Sequence, residues 1–297
     1  MLKGRLGLEK ARIPHADRHG LLWLSRGELC VVDGCLHFLR GKDSFTPGID
    51  QVPHQAVSMI LLGPGSSVTH DALRLLARHG TLLAAVGEDG VRSYTAPPLL
   101  PDRSEIARRQ AELWGNPRRR ISVARHMYAL RLGEVLPHRD LETLRGIEGA
   151  RVKNIYRLMA QKYDINWNGR HYDRANPDAA DIPNQAINHA ATAVQAAAAI
   201  AVQSVAAIPQ LGFIHEDSGQ SFVLDIADLY RDDLTLHIAF TAAKRLKESD
   251  ETVDRLVRRE AATVFRKRQV IGAMIDSIKR ILRMDEVSRG DGDDRDS

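Results

Sequence analysis

The spacing of apolar residues divides the chain into two regions with different predicted secondary structure. In the first third, short apolar runs are separated by glycine turns, as in "ELCVV" and "CLHFL" on either side of Asp33-Gly34. An Asp-Gly pair between apolar runs favours a type I′ hairpin turn, and Asp89-Gly90 repeats this arrangement. Between the two hairpins we expect a strand, a glycine loop and a short helix capped near Thr69. The N-terminal region is therefore predicted to be small and rich in β-structure.

The pattern changes after the proline-rich segment 95–105. Apolar residues then recur at intervals of three and four, which is the spacing of helices. We expect helices near residues 104–114, 118–132, 140–163, 184–207, 221–230, 234–247, 251–266 and 268–284. The predicted fold class is α+β, with a β-rich domain at 1–96, a linker at 97–104, a larger all-α domain at 105–284 and a disordered acidic tail at 285–297.

One alanine-rich run, "AATAVQAAAAIAVQSVAAI", is the only stretch that resembles a membrane span. Because it contains Gln195, Gln203 and Ser204, we interpret it as a closely packed buried helix. The N-terminus lacks the apolar core of a signal peptide. We therefore expect a cytoplasmic protein without a membrane partner. Cys30 and Cys35 are expected to be reduced, with a disulfide across the hairpin as the alternative.

The distribution of charge points to an anionic partner. The net charge of the 297 residues is +4, and the segment 285–297 carries six acidic side chains against two arginines. The tail thus contributes −4, and the remaining body has a net charge of +8. Such a body is compatible with binding an anionic polymer, although many basic proteins bind none.

Carboxylates on apolar helix faces are the strongest candidates for chemistry. Asp225 and Asp228 are three residues apart in an apolar segment that follows His215, and a buried carboxylate needs a partner. Glu148 extends a helical apolar stripe through Val152. One imidazole with two or three carboxylates and no thiolate suits Mg²⁺ or Mn²⁺. Such a site would act on phosphate esters.

Each of these residues also has a simpler interpretation. Glu148 would be favoured by the dipole at the start of a helix, and His215 would be a hydrogen-bonded loop histidine. Asp225 and Asp228 would then be partners for Arg231. Spacing alone does not decide between these interpretations and a metal site.

Arginine-rich helices provide the second candidate feature. Basic residues cluster in "NPRRRISVARHMYALR", "RLVRREAATVFRKRQ" and "SIKRILR". Solvated helix faces are the usual explanation, but several basic helices around a hard-metal site would favour a phosphate polymer. Trp167, Arg170 and Tyr172 form a further cluster that could stack on exposed bases, although Trp167 would serve equally well in a core.

Three long motifs together resemble a known family. "RGIEGARVKNIYRLMAQKYDINWNGRHYD", "GFIHEDSGQSFVLDIADLY" and "LLGPGSSVTHDALRLLARHGTLLAAVGEDGVRSY" are similar to the Cas1 family of CRISPR adaptation integrases, in its type I-E branch. The similarity runs from about Arg18 to Met284 and so covers both predicted domains.

The resemblance implies an assembly and a set of functional residues. It implies a homodimer, formed through the N-terminal domain, that joins a Cas2 dimer in a heterohexamer. The ligand of that complex is double-stranded DNA with single-stranded ends. By position, the family's catalytic metal-binding triad falls on Glu148, His215 and Asp228, and Asp225 matches a further acidic position beside the metal. Arg74, Arg92, Arg170 and Tyr172 match positions that contact DNA.

The implied reaction is the insertion of a short foreign duplex as a new spacer into a CRISPR array. A 3′-hydroxyl attacks a phosphodiester at an Mg²⁺ or Mn²⁺ centre, and water in its place would give nuclease activity. His215 must be neutral to bind the metal, so activity should fall at low pH. Two alternatives stay open: a stand-alone metal-dependent DNA nuclease, and a non-catalytic architectural DNA-binding dimer whose acidic cluster only links helices.

Overall fold

The computed structural model describes residues 20–41, 48–95, 104–134, 140–171 and 180–289. Its strands all lie in the N-terminal region and form two four-stranded sheets. They are β1 Leu21–Leu24, β2 Gly27–Val32, β3 Cys35–Arg40, β4 Ile49–Gln51, β5 Met59–Leu62, β6 Ser67–Val68, β7 Leu82–Val86 and β8 Ser93–Thr95. A short helix, α1 His70–His79, follows β6.

Both predicted hairpins are present. β2 and β3 pair antiparallel around Asp33-Gly34, and both of these residues have positive φ, as a type I′ turn requires. β7 and β8 also pair antiparallel, but a 3₁₀ turn, Glu88–Gly90, lengthens their connection. The expected helix cap is confirmed, because the Thr69 side chain accepts a hydrogen bond from the Ala72 amide.

The order of strands shows how the two sheets differ. One sheet has the order β1-β5-β7-β8, and its first three strands are parallel. The other has the order β4-β3-β2-β6, with antiparallel pairs except between β2 and β6. Every side chain of β5 is buried, which is typical of a parallel strand covered on both faces.

The β1-β5-β7-β8 sheet separates two hydrophobic cores. Ile60 and Leu62 point towards α1 and the other sheet, where they pack with residues such as Leu29 and Leu76. Met59 and Leu61 belong to the core formed by the helices. This alternation follows from the two-residue period of a strand. The two faces of this sheet therefore pack against different hydrophobic cores.

The C-terminal region is helical, as the apolar spacing predicts. Its helices are α2 Glu105–Gly115, α3 Pro117–Leu132, α4 Leu141–Tyr163, α5 Ile182–Ser204, α6 Ser221–Leu229, α7 Leu236–Leu246, α8 Val253–Arg268 and α9 Val270–Arg289. A π turn, Arg231–Thr235, connects α6 to α7. α9 continues five residues beyond the expected helix end at 284.

The alanine-rich run forms the centre of this helical region. Ala190, Ala193, Ala197 and Ala201 of α5 are buried, and their small side chains allow the surrounding helices to approach closely. Among the described helices, none combines the length and the apolar character that crossing a membrane would require. The interpretation of this run as a buried helix is therefore confirmed.

Candidate active site

Asp225 holds the loop that carries His215. Its side chain is fully buried (0% exposed) on α6. One carboxylate oxygen accepts hydrogen bonds from the amides of Phe213 (2.5 Å) and Ile214 (3.1 Å). The other oxygen accepts from the His215 amide at 2.9 Å and contacts its Nδ1 atom at 2.7 Å. Both oxygens are therefore committed to the loop, which leaves this carboxylate little capacity to bind an ion.

The contact with Asp225 orients the His215 ring and favours the tautomer that carries its proton on Nδ1. When Nδ1 donates to the carboxylate, Nε2 carries a lone pair, which is the arrangement found in metal-binding histidines. Nε2 lies 3.8 Å from Oδ2 of Asp228. The hydrogen bond to Asp225 raises the pKa of His215, while burial opposes this rise. His215 is thus the hydrogen-bonded loop histidine of the simpler interpretation, and its Nε2 atom is directed at Asp228.

Other contacts hold the same loop from the side of α2 and α4. The Trp114 indole donates a hydrogen bond to the carbonyl oxygen of Gly212 at 2.9 Å. Arg145 donates to the carbonyl oxygen of Ile214. Gly212 is required here, because a Cβ atom would lie 2.4 Å from the carbonyl oxygen of His215. The position of His215 therefore depends on backbone contacts that a larger residue at 212 would break.

Asp228 lies one turn after Asp225 and faces the pocket. Its Oδ1 accepts a hydrogen bond from Arg231, so the expected pairing of these two residues is present. Its Oδ2 is the atom that approaches His215. One oxygen is therefore held by a guanidinium group and the other is directed at the imidazole.

Glu148 reaches the same pocket from the second turn of α4. Its Oε1 accepts a hydrogen bond from Arg131 of α3, and its Oε2 lies 3.4 Å from the Tyr128 hydroxyl group. Burial, followed by the negative charge of Glu148, raises the pKa of Tyr128. The tyrosine is thus a neutral donor to this carboxylate at neutral pH. Glu148 is not at the start of its helix, so the helix dipole does not account for its position.

Arg131 connects three carboxylates of the pocket. Its side chain is 4% exposed, and its Nη1 atom contacts Glu148 and lies 4.0 Å from Asp228. Its Nη2 atom is 3.7 Å from Oδ1 of Asp232 in the π turn. Burial raises the pKa of Asp232, and the charge of Arg131 opposes this rise. The pocket thus contains a buried cation of its own.

The side chains of this pocket fit a hard divalent ion by their chemistry, although their present positions are not those of a closed metal site. Among the described residues, no three His, Cys, Asp or Glu side chains converge closely enough to hold an ion. His215 and Asp228 face each other, whereas the carboxylate of Glu148 is bound to Arg131. Oxygen and imidazole ligands without sulfur are those that Mg²⁺ and Mn²⁺ accept. For Oε1 of Glu148 to bind the ion, it would have to release Arg131.

The four remaining candidates lie away from this pocket or outside the described residues. Arg74 is an exposed residue of α1 that pairs with Asp71 at 3.2 Å. Arg170 donates hydrogen bonds to Asn184 (2.9 Å) and Asn188 (2.6 Å), so it connects its loop to α5. Tyr172 lies outside the described residues. Trp167 packs against the helical core, as its alternative interpretation predicts.

Arg92 contributes to a basic groove between the N-terminal sheet and α8. The groove has a volume of about 520 Å³, and its arginines are Arg92, Arg255, Arg258, Arg259 and Arg266. The exposed ring of Tyr94 also lines it. Asp254 fixes two of the guanidinium groups, with contacts of 3.0 Å to Arg92 and 2.8 Å to Arg258. Positive groups and an exposed ring suit a nucleic-acid backbone.

Comparison with known proteins identifies the family. Residues 128–257 match the family model described as "CRISPR associated protein Cas1". The chain is 36% identical over 271 residues to "CRISPR-associated endonuclease Cas1 1" of Rhodospirillum rubrum, and the match covers 90% of this chain and 85% of that protein. This protein belongs to the Cas1 family. It is also 36% identical over 276 residues to "CRISPR-associated endonuclease Cas1" of Escherichia coli K12, with coverages of 93% and 88%.

The fold agrees with that of solved Cas1 structures. The crystal structure of a TtCas1–DNA complex matches with a TM-score of 0.81 and 32% identity, over 90% of this chain and 98% of that one. The resemblance read from the sequence motifs is therefore confirmed at the level of the family, and so is the α+β fold class. Assignment to the type I-E branch stays a prediction, because the relatives come from several organisms.

Two residues of the pocket were missed by the sequence analysis. Arg131 follows Ala124, Met127 and Tyr128 on the buried stripe of α3. A charged residue on such a stripe signals a buried counter-ion, but the run of arginines around it suggested a solvated face. Asp232 had no comparable signal, because a π turn changes which residues share a face.

Proposed function

We propose that this protein is a metal-dependent DNA integrase of CRISPR adaptation that inserts short foreign duplexes into a CRISPR array. The observation that supports this proposal is that Glu148 and Asp228 line one pocket, while Nε2 of His215, whose imidazole is oriented by a buried carboxylate, faces Asp228 at 3.8 Å. Membership of the Cas1 family agrees with it, since the relatives are named as endonucleases.

Mg²⁺ or Mn²⁺ would be held by Glu148, His215 and Asp228, and when bound it would neutralise the charge that develops on the attacked phosphodiester. The protein's own residues have separate tasks. Asp225 holds the His215 ring in place through its Nδ1 atom. The contact favours the tautomer with the proton on Nδ1, so that Nε2 keeps its lone pair. Arg231 holds Asp228 in position. The reaction we propose is attack by a 3′-hydroxyl group of the incoming DNA on a phosphodiester of the array. The new phosphorus–oxygen bond forms as the bond to the 3′-oxygen of the array strand breaks, and the proton of the attacking hydroxyl group passes to water.

The basic groove supports DNA as the substrate. We propose that Arg92, Arg255 and Arg258 contact the phosphates of a duplex, with Arg74 as a further contact on α1. The solved complex of TtCas1 with DNA supports DNA as the ligand. Binding through phosphate contacts should weaken steeply as salt rises. Arg170 and Tyr172 remain candidates for the single-stranded end of the DNA.

The assembly and the location in the cell complete the proposal. We propose a homodimer that joins a Cas2 dimer in a heterohexamer and acts in the cytoplasm. We further propose that the N-terminal region forms the dimer contact. These partners follow from the family resemblance, and the experiment below includes Cas2 for this reason.

The proposal is tested by half-site integration of a labelled duplex with purified protein, Cas2 and Mn²⁺. Asp228→Ala should abolish integration and leave salt-sensitive DNA binding largely intact. Asp233→Ala is a matched control, because Asp233 belongs to the same connection between helices but is exposed and pairs with Arg268 at 3.6 Å. It should integrate as the wild type does.

Three outcomes separate the competing functions. Full integration by Asp228→Ala would refute the assignment of the metal-binding residues. Metal-dependent cleavage that needs no Cas2, without strand transfer, would favour a stand-alone nuclease. DNA binding with neither cleavage nor integration, together with no Mn²⁺ binding, would favour an architectural protein.

A further inference from the structure

The metal pocket contains a buried arginine that the proposed reaction does not use. Arg131 is almost fully buried, and its two terminal nitrogens point at different carboxylates, Nη1 at Glu148 and Nη2 at Asp232. A buried guanidinium group normally has all its donors satisfied. Here Nε and Nη2 have no hydrogen-bond partner, and the same is true of Oδ1 of Asp232. Of the three guanidinium nitrogens, only Nη1 is hydrogen-bonded.

We propose that Arg131 is a positioning residue that neutralises the metal-free pocket, and that it moves from Glu148 to Asp232 when a divalent cation binds. This inference rests on the proposed metal-dependent function, and it assigns to Arg131 and Asp232 roles that the triad does not include. Arg131 would compete with the ion for Glu148. Asp232 would offer Arg131 another carboxylate, which would lower the free energy needed to separate Arg131 from Glu148.

Competition follows from the atoms that Arg131 contacts. Nη1 is hydrogen-bonded to Oε1 of Glu148 and lies 4.0 Å from Oδ2 of Asp228. Oδ2 is also the oxygen that faces Nε2 of His215 at 3.8 Å. A cation that takes one oxygen from each acidic ligand would therefore meet the guanidinium charge at close range, where like charges repel. An ion bound between Oε1 of Glu148 and Oδ2 of Asp228 would take the place of Nη1, which lies near both oxygens.

Asp232 offers the place to which Arg131 can turn. Its Oδ1 is 3.7 Å from Nη2, which is too long for a hydrogen bond but only about 1 Å beyond the usual charge-assisted distance. Burial raises the pKa of Asp232, and the charges of Arg131 and Arg231 oppose this rise. In the present geometry Oδ1 of Asp232 accepts no hydrogen bond. A small movement of the arginine would form a charge-assisted pair and release Glu148.

The formal charge of the pocket agrees with such an exchange. Asp225, Asp228, Asp232 and Glu148 supply four negative charges, while Arg131 and Arg231 supply two positive ones. With a neutral imidazole, the pocket keeps a formal charge of −2. A divalent cation would neutralise this charge of −2 with both arginines still in the pocket. Neither guanidinium group would therefore have to leave when the ion binds.

The experiment measures Mn²⁺ affinity by calorimetry and thermal unfolding with Mn²⁺ or EDTA, using the full-length protein. The variants are Arg131→Met, Asp232→Asn and the double variant. Arg119→Met is the matched control, since Arg119 lies on the same helix and pairs with Glu112 outside the pocket. Asp233→Asn is the control for the acidic change.

Arg131→Met should bind Mn²⁺ about tenfold more tightly than the wild type, which corresponds to about 1.4 kcal/mol. Without metal it should unfold at a lower temperature, and Mn²⁺ should raise its Tm by more than it raises that of the wild type. Asp232→Asn should bind Mn²⁺ more weakly, because Arg131 then has no alternative acceptor. In the Arg131→Met background the same change should have a much smaller effect, limited to the loss of one negative charge from the pocket. Both controls should match the wild type.

Equal Mn²⁺ affinity in the wild type and Arg131→Met would overturn the exchange and leave the proposed function intact. An equal effect of Asp232→Asn in both backgrounds would also overturn it, since Asp232 would then act on the ion directly. If Arg131→Met fails to fold, equal affinity of Asp232→Asn and Asp233→Asn would overturn it. Absence of Mn²⁺ binding in every protein, the wild type included, would refute the metal-dependent function itself and the exchange with it.

Discussion

Replacement of Asp225 by asparagine should destabilise the protein strongly and release the His215 ring. The two carboxylate oxygens each accept two hydrogen bonds, one from Phe213 and Ile214 and the other from the amide and ring of His215. An asparagine keeps one acceptor oxygen and places an NH₂ group at the other position. If the NH₂ group faces Phe213 and Ile214, both of their amides lose their acceptor. If it faces His215, the His215 amide loses its acceptor, and the ring must change tautomer so that Nδ1 accepts.

The magnitude follows from the orientation with the smaller cost, in which one donor is orphaned. A buried donor without an acceptor costs about 1–3 kcal/mol, and the two bonds that remain lose about 0.5–1 kcal/mol each because their acceptor is no longer charged, so the substitution should cost about 2–5 kcal/mol. The whole free energy of unfolding of a typical protein is about 5–15 kcal/mol. Asp225→Asn should therefore remove a large part of the stability, even though the volume of the side chain hardly changes.

Equilibrium unfolding in urea, monitored by circular dichroism, measures this effect. Asp228→Asn is the matched comparison, because it makes the same chemical change one turn later on α6. The recorded contacts of the Asp228 carboxylate are to side chains, and the pocket keeps other negative charges, so its replacement should cost less than that of Asp225. If Asp225→Asn unfolds within about 1 kcal/mol of the wild type, or no more easily than Asp228→Asn, the reasoning is refuted.

Two further predictions concern packing and pH. Gly212→Ala should lower stability by about 1–3 kcal/mol, because its Cβ would lie 2.7 Å from the Ser221 Cβ and closer still to backbone. Gly219→Ala, whose Cβ would meet no atom within 4 Å, should leave the Tm almost unchanged. Burial, and then the charge of Arg268, lowers the pKa of His237. At this residue the unfolded chain therefore takes up the proton first, and the contribution of His237 to stability should fall as pH drops below about 6.5. His237→Gln should reduce this fall in thermal unfolding between pH 7 and 5, and an unchanged pH dependence would contradict the assignment.

Local rules accounted for most of the secondary structure. The period of three to four placed every helix of the C-terminal region within a few residues, and Asp33-Gly34 marked the turn of the first hairpin correctly. These features depend on residues that are neighbours in sequence. The division into two sheets depends instead on pairings between distant strands, such as the parallel pair of β1 and β5, and the sequence contains no local signal for it.

The sequence indicated which residues would form the candidate site, but it did not indicate which charged groups would pair there. Spacing and motif pointed to Glu148, His215 and Asp228, and all three line or face one pocket. The spacing could not show that Asp225 would be used up by backbone amides, because that depends on how a loop folds back onto α6. Nor could it show that Arg131 would lie between the acids, since helices α3, α4 and α6 meet only in the folded chain.

The strand Met59–Leu62 is covered on both faces, and this has a mechanical consequence. Its side chains are packed alternately into the two cores, so the β-rich part and the helices cannot slide past each other without opening both. Opening packed interiors on both sides of a strand would expose a large apolar area at once. We therefore expect the separation between the groove at Arg92 and the imidazole of His215 to be constant, whether or not nucleic acid is present. If a duplex binds in the groove, the fold would therefore set the length of DNA needed to reach from the groove to His215.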